Sequence, residues 1–212
     1  SMATKEQRLE LRIDVLDKEN QRAQALPGLM PSKLIEAILQ EFRGDLDYLG
    51  TTVDDYDLQV AASQSPLDYQ KPLSEQLDEG ERLTLIERTV PIPVGAQRLA
   101  KRVYLREQIS GKVFKLNWVP AIIGRADRSL NDEHLLAVDL GELLRGSRVS
   151  RRHAQIVEDQ GELYLEVLAD NPTYLRREEL TSEVGHERTA LQAGDVIIFE
   201  RSAIALQVII KG

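Results

Sequence analysis

The sequence predicts an α+β unit followed by an all-β sandwich, joined by a short proline-containing connector. Three observations carry this expectation. Residues 9–42 pass from apolar–polar alternation to apolar residues at helical spacing, a change of period from 2 to 3.6. Beyond residue 100 the chain is a series of short apolar runs between turn residues, with almost no helical periodicity. Charge also divides the chain, with a net of −8 over residues 1–88 and 0 over residues 89–212. Such asymmetry indicates two units with different surfaces.

Within the first unit, Leu9-Glu10-Leu11-Arg12-Ile13-Asp14-Val15 alternates as a strand with one buried face. Asp17–Asn20 is turn material, and a second strand is expected over residues 22–26. Pro31-Ser32 starts a helix, because proline is tolerated in the first turn, where its missing N–H has no acceptor. Leu34, Ile35, Ile38, Leu39 and Phe42 form its apolar stripe, leaving Lys33, Glu36 and Glu41 outward. Tyr56–Val60 reads as a strand, Leu67–Tyr69 as a short strand, Asp78–Glu81 as a turn, and Leu83–Ile86 as the closing strand.

This order, together with the segment Pro72-Leu73-Ser74-Glu75-Gln76-Leu77-Asp78-Glu79-Gly80-Glu81-Arg82-Leu83, resembles the ubiquitin-like, β-grasp domains over residues 8–88. Ubiquitin-type modifiers end in two glycines, whereas Ile86-Glu87-Arg88-Thr89-Val90-Pro91 continues here into another domain. The resemblance therefore implies a non-conjugated docking module for a second protein partner. It is similar to modules of bacterial proteins, some of them encoded with type VII secretion systems. Asp45-Leu46-Asp47-Tyr48-Leu49-Gly50 begins like a calcium loop, but Leu49 and Tyr56 stand where ligands are required. It reads as a solvated acidic loop.

Pro91, Pro93 and Gly95 mark a connector over residues 89–100, and the second unit is expected over 101–212. Its strands are expected at 103–105, 113–116, 121–123, 154–157, 163–167, 196–199 and 205–210. Short strands of this kind build a sandwich.

Two strings in this unit carry chemistry. Ile123-Gly124-Arg125 places an arginine just past a strand end, and Val149-Ser150-Arg151-Arg152-His153-Ala154 places a serine among arginines. Asp170-Asn171-Pro172-Thr173 follows. Guanidinium forks, a hydroxyl and an amide are the donors that a phosphorylated side chain and its backbone require. With the late turn Leu191-Gln192-Ala193-Gly194-Asp195, these strings resemble the forkhead-associated (FHA) domain of the FHA/SMAD-like sandwiches, a reader of phosphothreonine segments. The resemblance implies that Arg125 and Ser150 bind phosphate, that Arg151 adds a phosphate or peptide contact, and that Asn171 holds the peptide backbone. Gly124, Arg148, His153 and Thr173 would support the loops. Asp170 stands where the family usually has a hydroxyl donor. Ionised aspartate only accepts hydrogen bonds and repels phosphate at close range. Pro172 replaces a glycine. The stretch from Arg125 to Ser150 carries the insertion Leu140-Gly141-Glu142-Leu143-Leu144-Arg145-Gly146-Ser147, and Arg128, Arg145, Arg148, Arg151 and Arg152 are expected to form a basic rim.

Other functions find less support. Neither half is net basic, which argues against nucleic acid. No run approaches the ~20 apolar residues of a membrane helix, and no signal peptide is evident, so a cytoplasmic location is expected without membrane insertion. Cysteine is absent, removing disulfides and thiol chemistry. His134, His153 and His186 lack metal-ligand spacing, and no nucleophile elbow or phosphate-cradling glycine loop occurs. The expectation is a non-enzymatic, cofactor-free adaptor that binds phosphothreonine-containing proteins within Ser/Thr kinase signalling. The alternative is a phosphorylation-independent interaction protein with a degenerate site, serving a secretion or signalling complex.

Overall fold

The computed structural model describes residues 7–127, 129 and 134–212. The chain forms two compact units, Ser1–Thr89 and Val90–Gly212, each with its own apolar core.

The first unit contains β1 (Leu9–Val15), β2 (Lys18–Ala25), α1 (Pro31–Phe42), β3 (Tyr56–Val60), β4 (Ser65–Pro66) and β5 (Glu81–Glu87). Its five strands form one mixed sheet in the order β2-β1-β5-β3-β4. The β1/β5 pair is parallel, with Ile13 opposite Leu83, and the other neighbours are antiparallel. Alternation in β1 sends Leu11, Ile13 and Val15 into the core, where they meet Leu34, Ile35, Ile38 and Leu39 of the helix and Leu83 and Leu85 of β5. The second strand starts earlier than the sequence indicates. Leu16 and Asn20 adopt positive φ, so the chain reverses around Asp17 and polar Lys18 already pairs with Val15. The strand expected at 67–69 is displaced to Ser65–Pro66, because Tyr69 is held instead by its hydroxyl, which accepts from the Leu58 N–H at 3.0 Å. In the acidic loop, Asp45 pairs with Lys18 at 3.0 Å.

The second unit contains β6 (Arg102–Glu107), β7 (Val113–Lys115), β8 (Ala121–Gly124), β9 (Leu136–Asp139), β10 (Arg152–Asp159), β11 (Glu162–Val167), β12 (Thr173–Arg177), β13 (Leu180–Glu183), β14 (Thr189–Leu191), β15 (Val196–Phe199) and β16 (Ile204–Lys211). They form two sheets, β14-β11-β10-β8-β9 and β13-β12-β15-β16-β6-β7. One core lies between them: Ile123, Ile156 and Leu165 of the first sheet cluster with Leu105, Ile197, Leu206 and Val208 of the second. This is a β-sandwich. Four strands escape the sequence reading. β13 is exposed along its whole length and β14 has three residues, so neither shows alternation; β9 is a short parallel strand, and β12 begins inside the Asp170–Thr173 motif.

Part of the connector expected at 89–100 is hydrogen-bonded to the second unit. Gln97 and Val119 exchange both backbone hydrogen bonds at 2.9 Å, and the Ala100 N–H donates to Glu158 at 3.1 Å. Residues 90–100 therefore belong to the second unit. Among the described residues, no helix is long and apolar enough to cross a membrane.

Candidate functional site

Three loops meet at one end of the sandwich: the segment after β8, the segment before β10 and the segment before β12. Gly124 makes the first meeting possible. A Cβ there would lie 1.9 Å from the Arg151 carbonyl oxygen, so only glycine lets the backbones approach. The Arg125 N–H then donates to that same carbonyl at 3.2 Å. The Arg125 side chain turns across the serine loop, and its Nε donates to the Val149 carbonyl at 2.7 Å. Its two terminal nitrogens make no bond among the described residues and remain available to a ligand.

The serine is held from behind by the histidine. His153 is 1% exposed, and its ring packs edge-on to Phe199 at 4.5 Å. Its Nδ1 accepts the Ser150 N–H at 3.3 Å, so the proton of the neutral ring sits on Nε2. Nε2 donates to the Thr173 hydroxyl at 2.8 Å, and that hydroxyl donates to the Asn171 carbonyl at 3.2 Å. One chain of hydrogen bonds, buried at its centre, thus links the serine loop to the asparagine loop. Burial pushes the His153 pKa down from 6.5 to about 4; the Asn171 carbonyl opposes this, and the charge of Arg201 adds to it.

At the surface, the Asn171 side-chain amide donates to the Ser150 hydroxyl oxygen. With that oxygen already accepting, the serine O–H is free to donate outward. Arg125, Ser147, Arg148, Val149, Ser150, Asn171 and Arg201 line an open depression of about 530 Å³. Among the described residues its lining carries three arginines and no carboxylate, an arrangement suited to an anion with several acceptor oxygens.

The sequence-derived residues divide accordingly. Arg125, Ser150, Asn171 and Arg148 share the depression, while Gly124, His153 and Thr173 lie behind it. Arg151 does not line it; its guanidinium pairs with Asp127 at 2.8 Å. Asp170 is also outside it, its side chain fully solvent-exposed and 3.8 Å from His186 Nε2. Of the expected basic rim, Arg152 reaches the His134 carbonyl at 2.9 Å, Arg145 lines a separate cleft, and Arg128 lies outside the described residues. Sequence reasoning missed Arg201 and Ser147. Arg201 sits in the β15–β16 turn, 30 residues beyond Asn171, where no motif marks it; only its place at a hairpin tip could have drawn notice.

Comparison with known proteins gives a family match within the second unit. The FHA domain family model matches residues 121–200. No curated protein matches the chain. Among solved structures, the FHA domain of human APLF in complex with an XRCC1 bisphospho peptide is 20% identical, covering 51% of this chain and 97% of its own, with a TM-score of 0.38. A structure from an analysis of phosphothreonine-dependent FHA domain interactions is 25% identical, with coverages of 52% and 98% and a TM-score of 0.39. A Caldiarchaeum subterraneum ubiquitin is 16% identical, with coverages of 39% and 96% and a TM-score of 0.30. The chain therefore carries an FHA domain at residues 121–200.

Proposed function

We propose that this protein is a non-enzymatic, cytoplasmic adaptor that binds phosphothreonine-containing protein segments through its second unit. The observation carrying this reading is the depression in which Arg125, Arg148 and Arg201 surround the Ser150 hydroxyl and the Asn171 amide, within a matched FHA domain. In this reading the free terminal nitrogens of Arg125 and the Ser150 hydroxyl bind phosphate, and Arg148 and Arg201 add charge. Asn171 is shared between Ser150 and the peptide backbone. Arg151 acts at the rim through Asp127 rather than on phosphate directly. Asp170, directed to solvent beside His186, leaves the phosphate position unopposed.

The first unit, over residues 8–88, is proposed as a ubiquitin-like β-grasp module that docks a second protein; its mixed sheet crossed by one helix supports this. A bacterial signalling context with a Ser/Thr kinase upstream fits the pairing of the two units.

The test is fluorescence anisotropy with an oriented phosphothreonine peptide library. Micromolar binding that requires the phosphate and is abolished in Arg125→Ala is the expected outcome. Loss of charge-assisted bonds costs roughly 1.5–3 kcal/mol each. Binding indifferent to phosphorylation and to Arg125→Ala would instead establish the alternative, a phosphorylation-independent interaction protein.

A further inference from the structure

The outer face of the first unit's sheet, the face away from α1, carries an arrangement of charge set by strand register. Leu11, Ile13 and Val15 point into the core, so Glu10, Arg12 and Asp14 point outward. Arg12 stands directly opposite Arg22 of β2 on one side and Arg82 of β5 on the other. Three of the ten basic residues within residues 1–88 therefore form one row, on a unit whose net charge is −8. Neighbouring strands lie ~4.8 Å apart, so the row is ~10 Å long.

The carboxylates nearest to Arg12 on its own strand are engaged elsewhere. Asp14 accepts from Arg82 through Nε at 2.9 Å and Nη2 at 2.8 Å, and from the Asn20 N–H at 2.7 Å. Glu10, on the other side of Arg12, accepts from the Gln24 side-chain amide at 2.9 Å. The side chains of Arg12 and Arg22 make no hydrogen bond or ion pair among the described residues. Like charges directly opposite each other on a sheet destabilise the pairing. Two guanidinium groups are thus held together without a counter-charge, on a unit rich in carboxylates.

Two arginine forks side by side match carboxylates, since each fork donates two parallel bonds to one carboxylate. An extended segment presents alternate side chains on one face ~6.8 Å apart, within reach of flexible stems rooted ~4.8 Å apart. Glu10, Asp14, Glu19 and Glu79 border the row. A long polyanion or an anionic lipid surface would meet their repulsion, whereas a short acidic segment fits between them.

We propose that Arg12 and Arg22 form a docking site for a short acidic protein segment, an extended stretch with Asp or Glu at alternate positions. This inference rests on the reading of the first unit as a protein-docking module. It names the face used and the chemistry of the partner.

The experiment uses the isotope-labelled full chain carrying Arg125→Ala, which removes the phosphate depression as a rival anion site. Three unphosphorylated peptides alternate serine with glutamate, lysine or leucine. The glutamate peptide should shift the amide resonances of β1 and β2. Arg12→Gln and Arg22→Gln should each weaken its binding roughly tenfold, the loss of one charge-assisted pair. Arg22→Glu should abolish binding and, by setting a carboxylate opposite Arg12, slow hydrogen exchange of the β1 amides by up to about fivefold. Faster exchange in that variant would show that the two arginines serve the sheet rather than a ligand, and would overturn the proposal. Shifts confined to other parts of the first unit, or caused only by the leucine or lysine peptide, would overturn the arginine assignment and leave the docking reading in place. If no peptide moves a resonance of the first unit, the assignment and the docking reading fall together.

Discussion

Two buried residues behind the depression allow predictions of opposite kinds. Gly124→Ala should destabilise the second unit by roughly 1–3 kcal/mol, because the added methyl meets backbone rather than a movable side chain. Chemical denaturation would show this, together with weakened phosphopeptide binding as the Arg125 and Ser150 loops are forced apart. His153 predicts a pH dependence. Its folded pKa, about 4, lies below the ordinary 6.5, so between those values the unfolded chain binds a proton that the folded chain does not. Stability is complete above about pH 6.5 and declines as pH falls toward 4, by about 3 kcal/mol in full. Denaturant titrations across that window should show the decline, and His153→Gln should flatten it. The motifs containing these residues were legible in the sequence. Their division into lining and supporting roles was not, because Arg151 and Asp170 are neighbours of the site in sequence while Asp127 and the solvent claim their side chains.

At the level of elements, the late glycine–aspartate turn illustrates how a short motif fixes a hairpin. Gly194 adopts φ 92°, and the Asp195 carboxylate, 1% exposed, accepts the Gln192 N–H at 2.7 Å. The same carboxylate takes two bonds from Arg177 of β12, both at 2.9 Å, tying that strand to the start of β15. Asp195→Ala should lower the second unit's stability by roughly 1–3 kcal/mol, through loss of the turn bond and the arginine pair. Arg177→Ala should cost less if the turn bond dominates; differential scanning calorimetry of the two variants would separate the contributions. Strands with a buried alternating face, such as β1 and β16, could be read directly from the sequence. β13 could not, since all four residues are exposed and it is held by pairing with β12.

For the whole molecule, separate cores predict separable folding. A fragment of residues 90–212 should fold cooperatively and retain the phosphopeptide affinity of the full chain. One starting at residue 101 should be less stable, having lost the Gln97–Val119 pairing and the Ala100–Glu158 bond. Circular dichroism melts of the two fragments would test this. The prolines and glycine of that segment mark a connector, but composition reports only that a segment is irregular and not what it pairs with.

The sequence by itself determined the succession of an α+β unit and a β-rich unit, the buried faces of the longer strands and the helix, and the glycine, serine, histidine and asparagine motifs. These are local properties, set by period, turn chemistry and residue type within a few positions. Only the tertiary structure decided that Arg201 joins Arg125 and Arg148 around Ser150 and that Asp170 turns away. Those outcomes depend on which loops the two sheets bring to the same end of the sandwich, and strand pairing across the sheets sets that placement rather than proximity along the chain.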